Sequence, residues 1–307
     1  MNKAQIRAGD GDQAADEDRA VTEAWTPRAT PRDRFVDANG LTFHYLDWDS
    51  PRAAAGPPIV LLHGLRDQAH EWDPIVPDLT AHGRVLALDQ RGHGGSARPP
   101  GGYAPEDFAA DLAAVCAALD LDRPIVIGHS LGGRTAHQFA ARWPDRLRAL
   151  VLVDIGAAGA PHTIPAMTAH LRATAGPFAD EAEALRALIG ADLRPNGALL
   201  AYARHNLRPT TDGLLTWRYD LDAAIETVRL GRARDHWDVV ARIRVPTLLV
   251  RGERSDVLSR EEAARLARVI PRCTLVEIAG AGHLVPQARP RELAAAIAAW
   301  RAGLDQS

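Results

Sequence analysis

The segment Ile125-Val-Ile-Gly-His-Ser-Leu-Gly-Gly-Arg-Thr-Ala-His137 is the most informative stretch of the sequence for both fold and chemistry. It begins as a short apolar run that is typical of a buried strand and continues as a helical pattern over 131–143. Between the two lies Gly128-His-Ser130-Leu-Gly132, a GxSxG motif in the strand–turn–helix context that a nucleophilic serine requires. The glycines would let the backbone pack closely against itself in a sharp turn. The segment therefore predicts a nucleophile at Ser130, raised above the edge of a sheet.

Apolar runs and helical patterns alternate on both sides of this segment. Continuous apolar runs suit strands that are buried on both faces of a parallel sheet. Further runs begin at Ile59, Val85, Leu150, Thr247 and Thr274, and helical patterns cover 73–81, 104–119, 260–269 and 290–304. Two β-prone runs flank Asn39-Gly40, which predicts a hairpin. We expect an α/β fold with a mostly parallel central sheet flanked by helices, in which loops at the carboxyl ends of the strands carry the site.

The stretch 157–238 interrupts this alternation, because it has helical segments and turns but no convincing buried strand. We interpret it as a helical cap or lid inserted between the two parts of the α/β core, 32–156 and 239–307. Residues 1–31 are polar and poor in large apolar side chains, and we expect them to form a disordered tail.

Composition and charge exclude several classes of protein. The chain has 307 residues, of which 46% are apolar, and its formal net charge is −3. No global positive field is available to hold nucleic acid. No apolar run approaches the roughly 18 residues that mark a membrane span, and no apolar region of a secretory signal follows the N-terminus. Cys116 and Cys273 form no metal-like pair, and we interpret them as two buried thiols of a cytoplasmic protein.

A serine nucleophile needs an adjacent base, which is itself oriented by an acid. In a fold of this type the chain order is serine, then aspartate or glutamate, then histidine. The Gly-rich loop Ala279-Gly-Ala-Gly-His283-Leu-Val-Pro follows the last predicted strand and presents a histidine. Of the 12 histidines, His283 is the one that lies in a strand-end loop late in the chain, and we predict that it is the base.

Three acidic residues are candidates for the acid that orients His283. Asp256 lies just beyond the predicted strand at Thr247, and we choose it by strand-end position and chain order. Asp154 also follows a predicted strand and could in principle reach the histidine, but we expect it to be structural at the junction with the insertion. Glu253 lies so close to its strand end that we expect it to support the loop.

The chemistry also needs donors for the oxyanion that forms when serine attacks a carbonyl group. One donor would be the backbone N–H of Leu131, the residue after the nucleophile. The other would come from the loop after an early strand, which reads His63-Gly64-Leu65-Arg66, and we choose the N–H of Leu65. We expect His63 to support this loop without reacting.

These features together resemble the α/β-hydrolase superfamily over roughly residues 35–304. The segments that carry the resemblance are His63-Gly64, Asp89-Gln-Arg-Gly-His-Gly-Gly-Ser96, Gly128-His-Ser-Leu-Gly-Gly133, Asp256 and Gly282-His283. The resemblance implies a serine hydrolase of the esterase or lactonase type. Within the segment 89–96, Arg91 and His93 would hold loops near the site.

Departures within the superfamily narrow the chemistry. Epoxide hydrolases and haloalkane dehalogenases carry aspartate as the nucleophile, whereas position 130 is serine, so both are disfavoured. Carbon–carbon bond hydrolases usually have a more Gly-rich loop after His-Gly and an asparagine before the serine. This chain has Leu65-Arg66 and His129 at those places. Cofactor-free haloperoxidases or perhydrolases share the same triad, and motifs do not separate them from esterases.

The sequence therefore predicts a serine hydrolase that cleaves a carboxylic ester or lactone of a small to medium molecule through an acyl-enzyme. Ser130, His283 and Asp256 would form the triad, and no metal or organic cofactor would be required. The alternatives are a carbon–carbon bond hydrolase, a perhydrolase or haloperoxidase on the same triad, and a non-catalytic ligand receptor on the same fold. The natural substrate and the oligomeric state do not follow from the sequence.

Overall fold

The computed structural model describes residues 30–48, 56–189 and 197–304. The predicted disordered tail, 1–31, lies outside the described residues except for its last two positions.

The core of the structure is an eight-stranded sheet in the order β1-β2-β4-β3-β5-β6-β9-β10. The strands of this sheet are β1 Arg32–Ala38, β2 Leu41–Trp48, β3 Ile59–Leu62, β4 Val85–Leu88, β5 Ile125–His129, β6 Ala149–Val153, β9 Thr247–Gly252 and β10 Cys273–Ile278. In the part of the sheet with the order β4-β3-β5-β6-β9-β10, every strand is parallel to its neighbours. The pairs β1–β2 and β2–β4 are antiparallel. The prediction of a mostly parallel α/β sheet is confirmed.

Helices alternate with the strands along the chain. The helices are α1 Val76–Leu79, α2 Pro105–Ala118, α3 Leu131–Arg142, α4 Ile164–Ala173, α5 Glu181–Ile189, α6 Gly197–Asn206, α7 Leu221–Arg232, α8 Trp237–Val240, α9 Arg260–Val269, α10 Val285–Ala288 and α11 Pro290–Leu304. The predicted helix over 73–81 is instead the short α1 between two 3₁₀ turns, Ala69–Trp72 and Thr80–His82. Pro77 lies in its first turn, where a proline is tolerated, but it lacks the N–H that a longer helix would need.

The apolar runs form strands because their side chains alternate between two cores. In β3, Ile59 and Leu61 pack into the core on one face of the sheet, and Val60 and Leu62 pack into the core on the other face. The same alternation holds in β5 and β6. A strand with both faces buried reads as a continuous apolar run, which is the pattern found in the sequence. The predicted hairpin is also present, with Asn39 and Gly40 at φ 49° and 73° between β1 and β2.

The segment between β6 and β9, residues 157–238, is called the inserted segment below. It contributes α4 to α7 and a third apolar cluster, which includes Leu171, Phe178 and Trp217. It also holds a small antiparallel sheet of β7 Leu207–Pro209 and β8 Leu215–Trp217. The sequence did not indicate this sheet, because strands of three residues are too short to show a periodic pattern.

Candidate active site

Ser130 lies in the sharp turn that the sequence predicted between β5 and α3. Its backbone has φ 50° and ψ −111°, a conformation that costs energy for any residue other than glycine. The turn is fixed from both sides, because the Ser130 N–H donates to the Val153 carbonyl at 3.1 Å and its own carbonyl accepts from Arg134 N–H at 3.0 Å. The fold therefore stabilises a strained backbone at the one serine that the motif singled out.

The two motif glycines are required by close backbone contacts. A Cβ on Gly128 would lie 2.3 Å from the Gly132 carbonyl oxygen, and a Cβ on Gly132 would lie 2.1 Å from the Leu62 carbonyl oxygen. No real Cβ tolerates either distance, and both obstacles are backbone atoms. The turn can thus form only where these two positions carry no side chain.

His283 lies in the loop after β10, as expected, and it meets the serine. Its Nε2 is 3.1 Å from Ser130 Oγ, a distance at which the hydroxyl can donate to the ring nitrogen. His283 is half-buried, and its ring packs 4.9 Å from the ring of His129. The structure brings together the predicted nucleophile and the predicted base.

The carboxylate next to His283 is that of Asp154, which corrects the choice of Asp256. The distance from His283 Nδ1 to Asp154 Oδ2 is 2.8 Å. Asp154 is fully buried, and it is held by Gly252 N–H at 2.9 Å and by the hydroxyl of Ser255 at 2.5 Å. Asp256 is exposed at the cavity wall and exerts only a longer-range attraction on His283.

The physical reason for the correction lies in the strand register. In the sheet, β5 and β6 are neighbours, and His129 pairs with Val153, so the next residue of each strand leaves the sheet at the same level. Those next residues are Ser130 and Asp154. Asp256 lies four residues beyond the end of β9, where the chain has already turned outward. The sequence did contain a signal for Asp154, because this residue directly follows its predicted strand. The choice of Asp256 gave that position too little weight. Glu253, as expected, supports a loop, because it accepts from Gly280 N–H at 2.7 Å.

Burial governs the acid–base behaviour of His283. Loss of hydration lowers the pKa of His283 below its usual value, while its hydrogen bond to Asp154 opposes this effect, and the neighbouring His129 lowers the pKa further. The neutral ring, with Nδ1–H donating to Asp154, leaves Nε2 free to accept the serine proton. The arrangement therefore favours the base form of the histidine.

The two residues predicted to supply the oxyanion donors, Leu65 and Leu131, line the same cavity as Ser130. Leu131 is the first residue of α3, where a helix leaves its N–H groups without intrahelical partners. Leu65 belongs to the loop after β3. His63 supports this loop, because its Nδ1 is 2.7 Å from the Gly64 carbonyl oxygen and its Nε2 accepts from Gln90 N–H at 3.0 Å.

A buried pair of Glu71 and His129 lies next to the site, and the sequence did not predict it. His129 Nδ1 lies 2.5 Å from Glu71 Oε1, and His129 Nε2 lies 3.0 Å from the carbonyl oxygen of His283. The other Glu71 oxygen accepts from Gly64 N–H at 2.8 Å. Burial opposes both charges, but the mutual contact outweighs it, so the pKa of His129 is raised and that of Glu71 is lowered. The only signal in the sequence was His129 itself, a polar residue at a buried position inside the GxSxG motif.

Ser130 opens into a cavity of about 550 Å³ between the core and the inserted segment. A cavity of this size suits a small organic molecule. Residues of the inserted segment in its wall include Met167, His170, Leu171, Leu188, Tyr202 and Val228.

One group of side chains in the described ranges has the composition of a metal site, which the sequence reasoning did not indicate. The potential ligand atoms of His70, Asp73 and His205 lie within 4.8 Å of one another. His70 Nδ1 already contacts Asp73 at 2.8 Å, and the rings of His70 and His205 stack 3.9 Å apart.

Cys116 and Cys273 are both free thiols, but only Cys116 is buried, so the expectation of two buried thiols is wrong for Cys273.

A family model described as the alpha/beta hydrolase fold matches residues 57–286. The chain therefore belongs to the α/β-hydrolase family, which confirms the resemblance read from the motifs. None of the helices in the described ranges has the length and apolar character that crossing a membrane demands.

Three relatives show how the chain compares with named hydrolases. It is 29% identical to 2-(acetamidomethylene)succinate hydrolase of Mesorhizobium japonicum over 84% of this chain and 90% of that protein. It is 34% identical to an esterase of Mycobacterium tuberculosis over 78% of this chain and 80% of that protein. The crystal structure of the enol-lactonase from Burkholderia xenovorans has 26% identity and a TM-score of 0.73, covering 88% of this chain and all of that one.

Proposed function

We propose that the protein is a serine hydrolase that cleaves a carboxylic ester or lactone of a small to medium molecule through an acyl-enzyme. The observation that carries the proposal is the continuous hydrogen-bonded chain from Ser130 Oγ through His283 to Asp154 Oδ2, with both distances near 3 Å. Its relatives include an esterase and an enol-lactonase, which supports the proposal that the bond cleaved is that of a carboxylic ester or lactone.

In the first half of the reaction, Ser130 Oγ attacks the carbonyl carbon while His283 Nε2 takes the hydroxyl proton. The N–H groups of Leu65 and Leu131 stabilise the tetrahedral oxyanion. The bond from carbon to the leaving oxygen then breaks, and His283 returns the proton to that oxygen. Asp154 holds the ring in the required tautomer and stabilises its positive charge.

In the second half, water replaces the leaving alcohol. His283 Nε2 takes a proton from the water as its oxygen attacks the acyl carbon, and a second oxyanion forms in the same place. The bond to Ser130 Oγ breaks, the serine recovers its proton from His283, and the free acid leaves. For a lactone, the leaving hydroxyl stays attached to the same product molecule.

The test is hydrolysis of a short p-nitrophenyl ester series by the wild type and by Ser130→Ala, with a fluorophosphonate label in parallel. Turnover and labelling should both be lost in the variant. Ser259→Ala is a matched control, because Ser259 is an exposed residue that caps α9. Its loss costs about 1 kcal/mol of stability and should leave labelling intact.

Two other outcomes would redirect the proposal. Labelling of Ser130 without turnover of any ester would keep the nucleophile and move the chemistry to carbon–carbon or peroxide substrates. A wild type that neither labels nor turns over, yet binds a ligand saturably, would overturn the proposal in favour of a receptor.

A further inference from the structure

Two arginines, one buried and one half-buried, line the cavity into which Ser130 opens. Arg134 belongs to α3 and is only 8% exposed, and Arg232 ends α7 of the inserted segment. Arg134 N–H donates to the Ser130 carbonyl, so the two residues are one helical turn apart. Ser130 and Arg134 both line the cavity wall. Arg134 thus lies within one small-molecule length of the nucleophile.

Neither guanidinium group forms an ion pair with a carboxylate among the residues that the structure describes. Arg134 Nη1 donates to the Gly231 carbonyl at 2.8 Å, and Arg232 Nη1 donates to the Thr163 hydroxyl at 3.2 Å. Both acceptors are neutral. The donor inventory of an arginine is five N–H groups, so most of the hydrogen-bonding capacity is unused.

Other buried arginines of this protein are paired. Arg91 bonds both oxygens of Asp111, and Arg251 bonds Glu277 at 2.5 Å. A charged side chain that is buried without a partner is costly, and proteins normally avoid it outside functional sites. The contrast within one chain indicates that the charge at Arg134 is kept for something other than folding.

The surrounding charges do not neutralise the pair. Burial lowers the pKa of Arg134 to about 10, and the positive charge of Arg232 acts in the same direction. Glu262 attracts both arginines but forms an ion pair with neither, and its Oε1 accepts from Ala158 N–H at 2.7 Å. Of the carboxyl groups in the cavity wall, Asp256 is exposed, whereas Asp67 is buried.

The Asp67 carboxyl group adds little opposing charge. Burial and the nearby charge of Glu71 raise the pKa of Asp67 well above its usual value. Arg66 also lines the cavity, which adds a positive charge to the same wall. The cavity therefore offers an anion two unpaired guanidinium groups close to the nucleophile.

We propose that Arg134 and Arg232 bind a carboxylate of the substrate, so that the enzyme acts on esters or lactones whose acyl part ends in a free carboxylate. Guanidinium groups bind carboxylates with charge-assisted, often bidentate hydrogen bonds. Since Ser130, Arg134 and Arg232 line one cavity of about 550 Å³, the carboxylate should be separated from the scissile carbonyl by a short chain of carbons. This inference rests on the proposed ester hydrolysis and deepens it.

The test compares two esters of equal length, monomethyl glutarate and methyl pentanoate, which differ in the terminal carboxylate. The rate of methanol release gives kcat/KM for each. A hydrogen bond to a charged group is worth enough to favour the glutarate ester about 10- to 100-fold in the wild type. Arg134→Gln and Arg232→Gln should each reduce this ratio at least about tenfold, mainly through KM.

Arg229→Gln is the matched control. Arg229 lies on the same helix as Arg232, but it is exposed and pairs with Glu226. This control should keep the wild-type ratio. Arg134→Lys guards against misfolding as an explanation, because it retains the charge but not the planar fork, and it should recover part of the ratio. Thermal unfolding of every variant accompanies the kinetics.

A second readout does not depend on turnover. Free glutarate should slow labelling of Ser130 by a neutral fluorophosphonate in the wild type, and it should do so less in Arg134→Gln. Hydrolysis of both esters with no preference, and no protection by glutarate, would overturn the carboxylate subsite while leaving the ester hydrolase in place. Protection by glutarate without hydrolysis of either ester would overturn the proposed reaction but support the subsite.

Discussion

At the scale of single residues, the assignment of the acid to Asp154 separates two aspartates that the sequence could not rank correctly. Asp154→Asn should lower kcat about 10³- to 10⁴-fold, because an amide neither selects the required tautomer of His283 nor stabilises its positive charge. Asp256→Asn is the matched control, and it should change kcat by about threefold at most, since Asp256 is exposed and outside the hydrogen-bonded chain. Ester hydrolysis by the two purified variants decides the matter. The reverse ranking would restore Asp256 as the acid.

The environment of His283 also sets the pH dependence. Only the neutral ring can take the serine proton, so kcat/KM falls when the histidine becomes protonated. Burial and the nearby His129 lower the pKa of His283, so the ring stays neutral to a lower pH than an exposed histidine would. The acid limb of kcat/KM should therefore have its midpoint below about 6.5, the usual histidine value. A pH profile with a neutral ester measures it, and a midpoint above 7 would contradict this assignment.

At the scale of elements, the sequence predicted most where one physical cause dominates the pattern. The run Ile59–Leu62 is continuously apolar because alternate side chains enter two separate cores, and the strand was predicted correctly. The turn at Ser130 was predicted correctly because its glycines are obligatory: a Cβ added at Gly128 or Gly132 would lie within 2.5 Å of backbone atoms.

The sequence predicted least where the outcome depends on partners distant in the chain. The choice between Asp154 and Asp256 depends on which strand lies beside β5, and strand order is a tertiary property. The Glu71–His129 pair joins residues 58 positions apart, and Glu71 lies in a short 3₁₀ turn with no motif around it. Similarly, the sequence does not show that Arg134 is buried without a carboxylate partner, because this depends on its packing against the inserted segment.

At the scale of the whole molecule, Glu71 lies where several loops meet. Its side chain contacts the loop after β3 through Gly64 N–H and the motif histidine His129, which in turn holds the loop that carries His283. Gln287 donates to both Glu71 and Asp67 at 3.2 Å. Asp67 also accepts from Asn206 of the inserted segment at 3.1 Å. One buried polar network thus connects the two loops of the site with the segment that covers them.

Because removing one partner of a buried ion pair leaves the other uncompensated, Glu71→Gln should be costly. We expect it to lower the free energy of unfolding by about 3–5 kcal/mol, with part of this loss relieved if His129 becomes neutral. The matched control is Glu226→Gln, which breaks the exposed pair with Arg229 and should cost less than about 1 kcal/mol. Denaturant unfolding of both variants measures the difference.

The same variant should also reveal whether the network positions the site. Since Glu71 holds Gly64 and, through His129, the His283 carbonyl, its replacement should lower kcat of the folded protein more than it raises KM. Glu71→Gln with wild-type kcat but reduced stability would limit the network to a structural role. A variant as stable as Glu226→Gln would show that the Glu71–His129 contact is not a charged pair, since a neutral hydrogen bond tolerates the amide at far lower cost.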